Sequence, residues 1–155
     1  MKALDVAAHI INRCIDMGTP ISNLKLQKIM YFLDITYLIN RHRRLIDDNF
    51  EAWQYGPVIE EVYDRYSPYA ANFINIRQDP NEDFPQDDLQ RINAKIDNLA
   101  NTDVWRLVEL SHKSDSPWKK TYKEGQGNHE IIDNSLLFEY AETIRKKREI
   151  NGVKE

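Results

Sequence analysis

Between Asn23 and Asn40 the chain sets Leu24, Leu26, Ile29, Met30, Tyr31, Phe32, Leu33, Ile35, Tyr37, Leu38 and Ile39 on nearly every face of a 3.6-residue helix. A helix apolar all round has no solvent side, so it must form the axis on which other elements pack. A membrane span is the competing reading. The most apolar stretch, Ile29 to Ile39, is interrupted by Asp34 and is too short for the ~30 Å of a hydrocarbon layer. The chain must therefore wrap amphipathic partners around one buried rod. At 155 residues it is long enough to build one such core without metal or disulfide support.

Those partners are readable on both sides of the rod. Leu4, Ala7, Ala8, Ile11, Cys14 and Ile15 recur at helical spacing with Asp5, His9, Asn12, Arg13 and Asp16 between them, and Gly18 stops the helix. Thr19-Pro20 turns the chain, and Ser22 is placed to cap the rod. Arg41-His42-Arg43-Arg44 at its far end reads as a solvated cationic cap that complements the helix dipole. Leu45 to Tyr55 loses the helical period and, with Phe50 and Trp53, reads as a short strand or extended connection. Gly56-Pro57 is expected to open a third helix with Val58, Ile59, Val62, Tyr63 and Tyr66 inward, ended by Ser67-Pro68.

Tyr69 to Pro85 has no period. The run from Asp79 to Asp88 holds carboxylates and no Lys or Arg, and reads either as an exposed loop or as a docking strip for a basic partner. Leu89, Ile92, Ile96 and Leu99 define a fourth helix. Thr102 or Asp103 caps a fifth, Ser116-Pro117-Trp118 opens a short sixth, and Asp133 or Asn134 caps a last one that frays into Arg145-Lys146-Lys147-Arg148. The expected fold is mainly α, a compact single domain of about six to seven helices with a short extended or β segment near residues 45–55.

Few chemistries are available to such a chain. A net charge of −4 lacks the cation excess with which nucleic-acid binders neutralise phosphate, so direct nucleic-acid binding is not expected. Cys14 stands alone, which excludes an internal disulfide or a Cys-based zinc site and fits a reducing compartment. Polar residues break any signal-peptide core at the start, so the expected location is cytoplasmic. His9, His42, His112 and His129 have no metal-ligand spacing. Ser111 and His112 are neighbours, but on a helix neighbours point about 100° apart, and Asp115 completes a triad only on paper. No phosphate-binding glycine loop or G-x-S-x-G elbow occurs. No catalytic residue, metal or cofactor is expected; a small hydrolase using His112 is the weakest of the functions weighed.

Leu24-Lys25-Leu26-Gln27-Lys28-Ile29-Met30-Tyr31-Phe32 resembles the "LKLQKLLYF" helix of the Panacea domain, the SocA-like antitoxin and phage-associated protein family. Phe50-Glu51-Ala52-Trp53-Gln54-Tyr55-Gly56-Pro57-Val58, Leu110-Ser111-His112 and Ser116-Pro117-Trp118 follow in the family's order. The likeness runs from about Ala3 to Ile144, which assigns residues 1–150 to the domain and 151–155 to a short tail. The resemblance implies a helical antitoxin that neutralises a cognate protein toxin from an adjacent gene by direct contact, as in a prophage-type toxin–antitoxin pair. It also implies an alternative, an adaptor that hands the toxin to the ClpXP protease. Oligomeric state is left open, and no added DNA-binding domain is expected.

The motif residues carry two readings each. Trp53, Tyr55, Gly56 and Pro57 either shape a strand-to-helix corner or face the partner, and the irregular Tyr69–Asp88 segment is expected to join the partner-binding surface. His112 and Trp118 are expected to pack together, with the imidazole hydrogen-bonded in the core. Lys25, Gln27 and Lys28, polar at the head of a buried helix that also carries Tyr31, either satisfy neighbouring backbone groups or meet the partner.

Overall fold

The structure is a computed structural model and describes residues 1–152. Helix α1 (Ala3–Asp16) is tethered at its start: the Met1 ammonium donates to the Leu45 carbonyl at 2.8 Å, and the Ala3 N–H to Asp48 Oδ1 at 2.9 Å. It ends where Gly18 adopts φ +74° and donates its N–H to the Ile15 carbonyl. Ser22 then accepts the Lys25 N–H and caps α2 (Asn23–Arg41). Helix α2 is the rod its sequence requires. Leu26, Ile29, Met30, Leu33 and Leu38 are buried.

The cationic end of α2 differs from the expected solvated cap. Asp34 is buried inside the rod, and its carboxylate accepts the Leu45 and Ile46 N–H groups and the Arg44 guanidinium, with the Arg44 side chain itself almost fully covered. Arg41 pairs with the buried Asp88, which also accepts the Tyr37 hydroxyl at 3.1 Å. Asp34 inside a helix needs a counter-charge, and the chain turns back at His42 (φ 59°) to bring Arg44 to it. Asp88 is correspondingly no part of an exposed acidic loop.

A hairpin follows: β1 (Glu51–Trp53) pairs antiparallel with β2 (Gly56–Val58), in the register Glu51↔Val58, Ala52↔Pro57, Trp53↔Gly56. Pro57 was expected to begin a helix; it sits in a strand instead, and α3 (Glu60–Tyr66) starts three residues later. The reason lies in the hydrogen-bond alternation of an antiparallel pair. Ala52 turns its N–H to Glu130 (2.8 Å) and its carbonyl to the His129 N–H (2.7 Å), so nothing opposite Pro57 needs the donor that proline lacks. The 129–132 segment thereby becomes a third, irregular neighbour of β1, with the Ile132 N–H donating to the Phe50 carbonyl.

A 3-10 turn at Ser67–Tyr69 extends α3. The next stretch, without helix or strand, runs along α1: the Ile74 N–H donates to Ile21, the Asn12 amide exchanges two bonds with the Gln78 backbone, and Asp5 accepts the Asn81 N–H. Ile74 and Phe84 anchor it in the core. Helices α4 (Gln86–Ala100), α5 (Val104–Ser111) and α6 (Pro117–Tyr122) complete the wrap, with Asp103 capping α5 and Ser116 capping α6.

Helix α7 (Asn134–Ile150), capped by Asp133, does not fray at Arg145 as expected. Arg145 donates to the Leu38 and Ile39 carbonyls near the end of α2, which gives the helix a tertiary anchor past its last apolar turn. Among the described residues the fold is thus seven α-helices and one two-stranded sheet, mainly α as expected, and no helix is long and apolar enough to cross a membrane. The end of the expected tail, residues 153–155, lies outside the described residues.

Candidate partner-binding surface

The polar residues at the head of α2 are spent inside the molecule. Lys25 Nζ donates to the Ala100 carbonyl at 2.6 Å, closing the end of α4. Gln27 Oε1 accepts the Ile59 N–H at 3.0 Å, while its Nε2 donates to Asn23 Oδ1. Lys28, fully buried, donates to the Tyr55 carbonyl in the hairpin turn. Burial without a neighbouring carboxylate lowers its ammonium pKa to about 7. All three side chains thus satisfy backbone groups of neighbouring elements.

The Lys28 and Gln27 Oε1 contacts fix the hairpin corner. Gly56 adopts φ +119°, and a Cβ there would collide with Lys28 Nζ and lie 2.9 Å from Ser111 Oγ. Below the corner, Trp118 donates its indole N–H to the Trp53 carbonyl at 2.6 Å and stacks on His112 (centroids 3.7 Å apart) and on Tyr122 (4.7 Å). His112 and Trp118 do pack together, as expected; the imidazole bonds to the Tyr55 backbone, and its buried Nε2 has no hydrogen-bond partner among the described residues. Burial holds the His112 pKa below its ordinary value, and the Lys28 charge adds to this while the Tyr55 backbone partly offsets it. The Tyr31 hydroxyl is likewise buried and unpartnered, its ring edge-on to Phe32 and Phe50; Tyr31 belongs to the core.

Ser111, His112 and Asp115 do not assemble a relay. The Ser111 hydroxyl donates to the Val108 carbonyl in its own helix, and Asp115 faces Lys147 across 3.8 Å. Among the described residues no three of His, Cys, Asp and Glu gather closely enough to hold a metal ion.

What the corner presents outward is aromatic. Tyr55, at the tip of the turn, is 50% exposed and touches Trp105, 56% exposed, edge to face at 5.9 Å. Behind them opens a groove of about 470 Å³ whose walls include Leu24 and Gln27 of α2, Trp53 and Tyr55 of the hairpin, Tyr63 of α3 and His129. Trp53 stacks on His129 at 4.2 Å with the planes 3° apart, and meets Tyr63 edge-on at 4.8 Å. Of the irregular 69–88 segment, Ala70 and Ala71 reach the groove, whereas Gln78 and Asn81 lie against α1.

Tyr63, expected on the inward face of α3, instead lies partly exposed on the groove, and Trp105 and His129 carried no expectation of a surface role. Trp105 had a legible signal: with Leu107, Val108 and Ser111 inward on α5, it falls on the face that should be polar. His129 had none, because only the pairing of residues 129–132 with β1 carries it to Trp53.

Comparison with known proteins now bears on this arrangement. The profile described as "Antitoxin SocA-like, Panacea domain" matches residues 26–119, a span that contains α2 from Leu26 onward, the hairpin and the His112–Trp118 stack. The chain belongs to the SocA-like Panacea family. A curated relative, Antitoxin SocA of Caulobacter vibrioides (strain NA1000 / CB15N), is 32% identical over 131 residues, covering 76% of this chain and 69% of the relative. No solved structure matches. The Panacea match ends at Lys119, so α7 and the 129–132 segment that completes the groove lie beyond it.

Proposed function

We propose that this chain is the antitoxin of a toxin–antitoxin pair and acts in the cytoplasm, without catalysis or cofactor, by binding a cognate protein toxin from a neighbouring gene through the hairpin-corner surface. The observation that carries this reading is the exposed Tyr55–Trp105 pair, displayed beside an aromatic groove on a corner braced from within by Lys28, Gln27 and Trp118. Exposed aromatic rings on a rigid support are the usual anchors of protein interfaces, because they bury large areas at small conformational cost. Membership of an antitoxin family and likeness to Antitoxin SocA support the choice of a toxin as the partner.

Co-expression with each neighbouring gene product tests it. One product should arrest growth alone, be rescued by this chain and co-purify with it. Rescue without any complex would overturn direct binding. Toxin half-life during rescue separates occlusion, in which toxin persists silent, from delivery to ClpXP, in which it disappears.

A further inference from the structure

None of the residues lining the groove beside Trp53 is Asp, Glu, Lys or Arg, although these make up 30% of the chain. A charged group entering it would lose water and meet no counter-charge on its walls. Trp53 offers the groove its ring only, because Glu51 Oε1 accepts the indole N–H at 3.0 Å. Ala70 and Ala71 contribute nothing longer than methyl groups to the wall, so the space stays open. Ala70 is held at φ 52° and ψ −124°, and His129 at φ 68°, conformations that L residues rarely adopt. Such strain persists only where the surrounding fold enforces it, so the shape of the groove is set before a partner arrives. Two of its amides are committed within the molecule: Asn23 Nδ2 donates to the Tyr63 carbonyl at 3.1 Å, and Gln27 bonds Ile59 and Asn23. The side chains of Gln54 and Asn128 make no hydrogen bond among the described residues, which leaves each with a free donor and a free acceptor at the groove.

We propose that this groove receives an uncharged aromatic side chain of the bound partner, carried on a segment whose peptide groups pair with the Gln54 and Asn128 amides; the assignment of that segment to the toxin rests on the reading above. An aromatic ring matches the walls in charge and in geometry. It extends the edge-to-face and stacked packing that Trp53 already makes with Tyr63 and His129, which an aliphatic chain does not. A peptide group carries one N–H and one carbonyl, the complement of a free side-chain amide.

The probe is the peptide N-acetyl-Ala-Phe-Ala amide, titrated into the ¹⁵N-labelled full chain, with its leucine and lysine counterparts as controls. The Trp53 indole signal and the Gln54 and Asn128 side-chain amide signals should move saturably with the phenylalanine peptide. The leucine peptide should bind about 2- to 12-fold more weakly, the factor an aromatic pair adds beyond burial, and the lysine peptide more weakly still. A71L, which extends an exposed wall residue into the groove, should weaken the phenylalanine peptide at least ~5-fold while unfolding like wild type. Y63L, a second variant that keeps apolar bulk, should lose the preference for phenylalanine over leucine. No saturable response, an equal response to leucine or lysine, or a peptide response that neither variant alters would overturn the site. Trp53 shifts that follow protein concentration without peptide would place a second copy of the chain there and overturn it as well. Once a toxin is in hand, equal capture by wild type and A71L removes the groove assignment and leaves direct binding standing. A phenylalanine response of the stated kind in a chain that binds no toxin does the reverse.

Discussion

The ammonium of Lys28 fills the space that a side chain on Gly56 would need. One residue comes from the buried central helix and the other from the hairpin turn, and each limits the space open to the other. Because Lys28 also holds the Tyr55 carbonyl, the displayed surface is coupled directly to a buried amine.

That amine makes stability depend on pH in a defined window. Folded, Lys28 has a pKa of about 7; unfolded, it returns to the ordinary lysine value of 10.5. Below pH 7 both states hold the proton and the full burial penalty is felt. Between the two values the unfolded chain binds more protons, so stability rises with pH, by up to about 1.4 kcal/mol per unit. Urea unfolding of wild type and K28M should therefore diverge from pH 7 to 9.5, wild type gaining. A constant difference across that range would refute the account.

Substituting Gly56→Ala tests the other half of the pair. Its φ of +119° is strained for any L residue, which by itself costs about 1–3 kcal/mol, and the methyl group must also displace the Lys28 ammonium. A clear fall in the unfolding midpoint is expected, with amide shifts at Tyr55 and Ser111. An unchanged midpoint would mean that the corner relaxes freely.

The Asp34–Arg44 pair should show the asymmetry of buried ions. D34N retains an acceptor for the Leu45 and Ile46 N–H groups but strands the guanidinium, at an expected ~3–5 kcal/mol. R44M strands the carboxylate. The double variant D34N/R44M should lose less than the sum of the two, so strict additivity in the cycle would count against a coupled pair.

At the surface, stability and binding should separate. Y55A and W105A remove exposed rings and should stay within about 0.5 kcal/mol of wild-type stability. Each is expected to weaken toxin binding by at least about 30-fold, as truncation of an interface anchor does. The buried Trp118→Phe change should behave oppositely, losing the donor to the Trp53 carbonyl and about 1–3 kcal/mol of stability. Titration calorimetry and chemical unfolding on the same samples decide both.

Local pattern was enough to locate the elements. The all-round apolarity of Asn23–Asn40 identified the central rod, 3-4 spacing identified its amphipathic neighbours, and Ser22 and Ser116 announced helix starts that the structure reproduces, while of the pairs Thr102/Asp103 and Asp133/Asn134 the structure selects Asp103 and Asp133. These signals act over a few residues, through backbone geometry and the side that must face away from water, so the sequence carries them openly. Where a local rule failed, a distant partner had overruled it: Pro57 sits in a strand because Ala52 points its hydrogen bonds at residues 129 and 130, and α7 continues past Arg145 because that residue caps α2.

The candidate surface was legible in part. Trp53, Tyr55, Gly56 and Pro57 stood out from the chain, yet whether Lys25, Gln27 and Lys28 pointed inward or outward was undecidable, since a polar side chain at a helix head serves either purpose. Only the tertiary structure supplies the Ala100, Ile59 and Tyr55 backbone groups these side chains bond to, and it alone brings His129 and Tyr63 onto Trp53. Periodicity specifies which side of an element is buried; which remote groups then meet there depends on how all the buried sides close together.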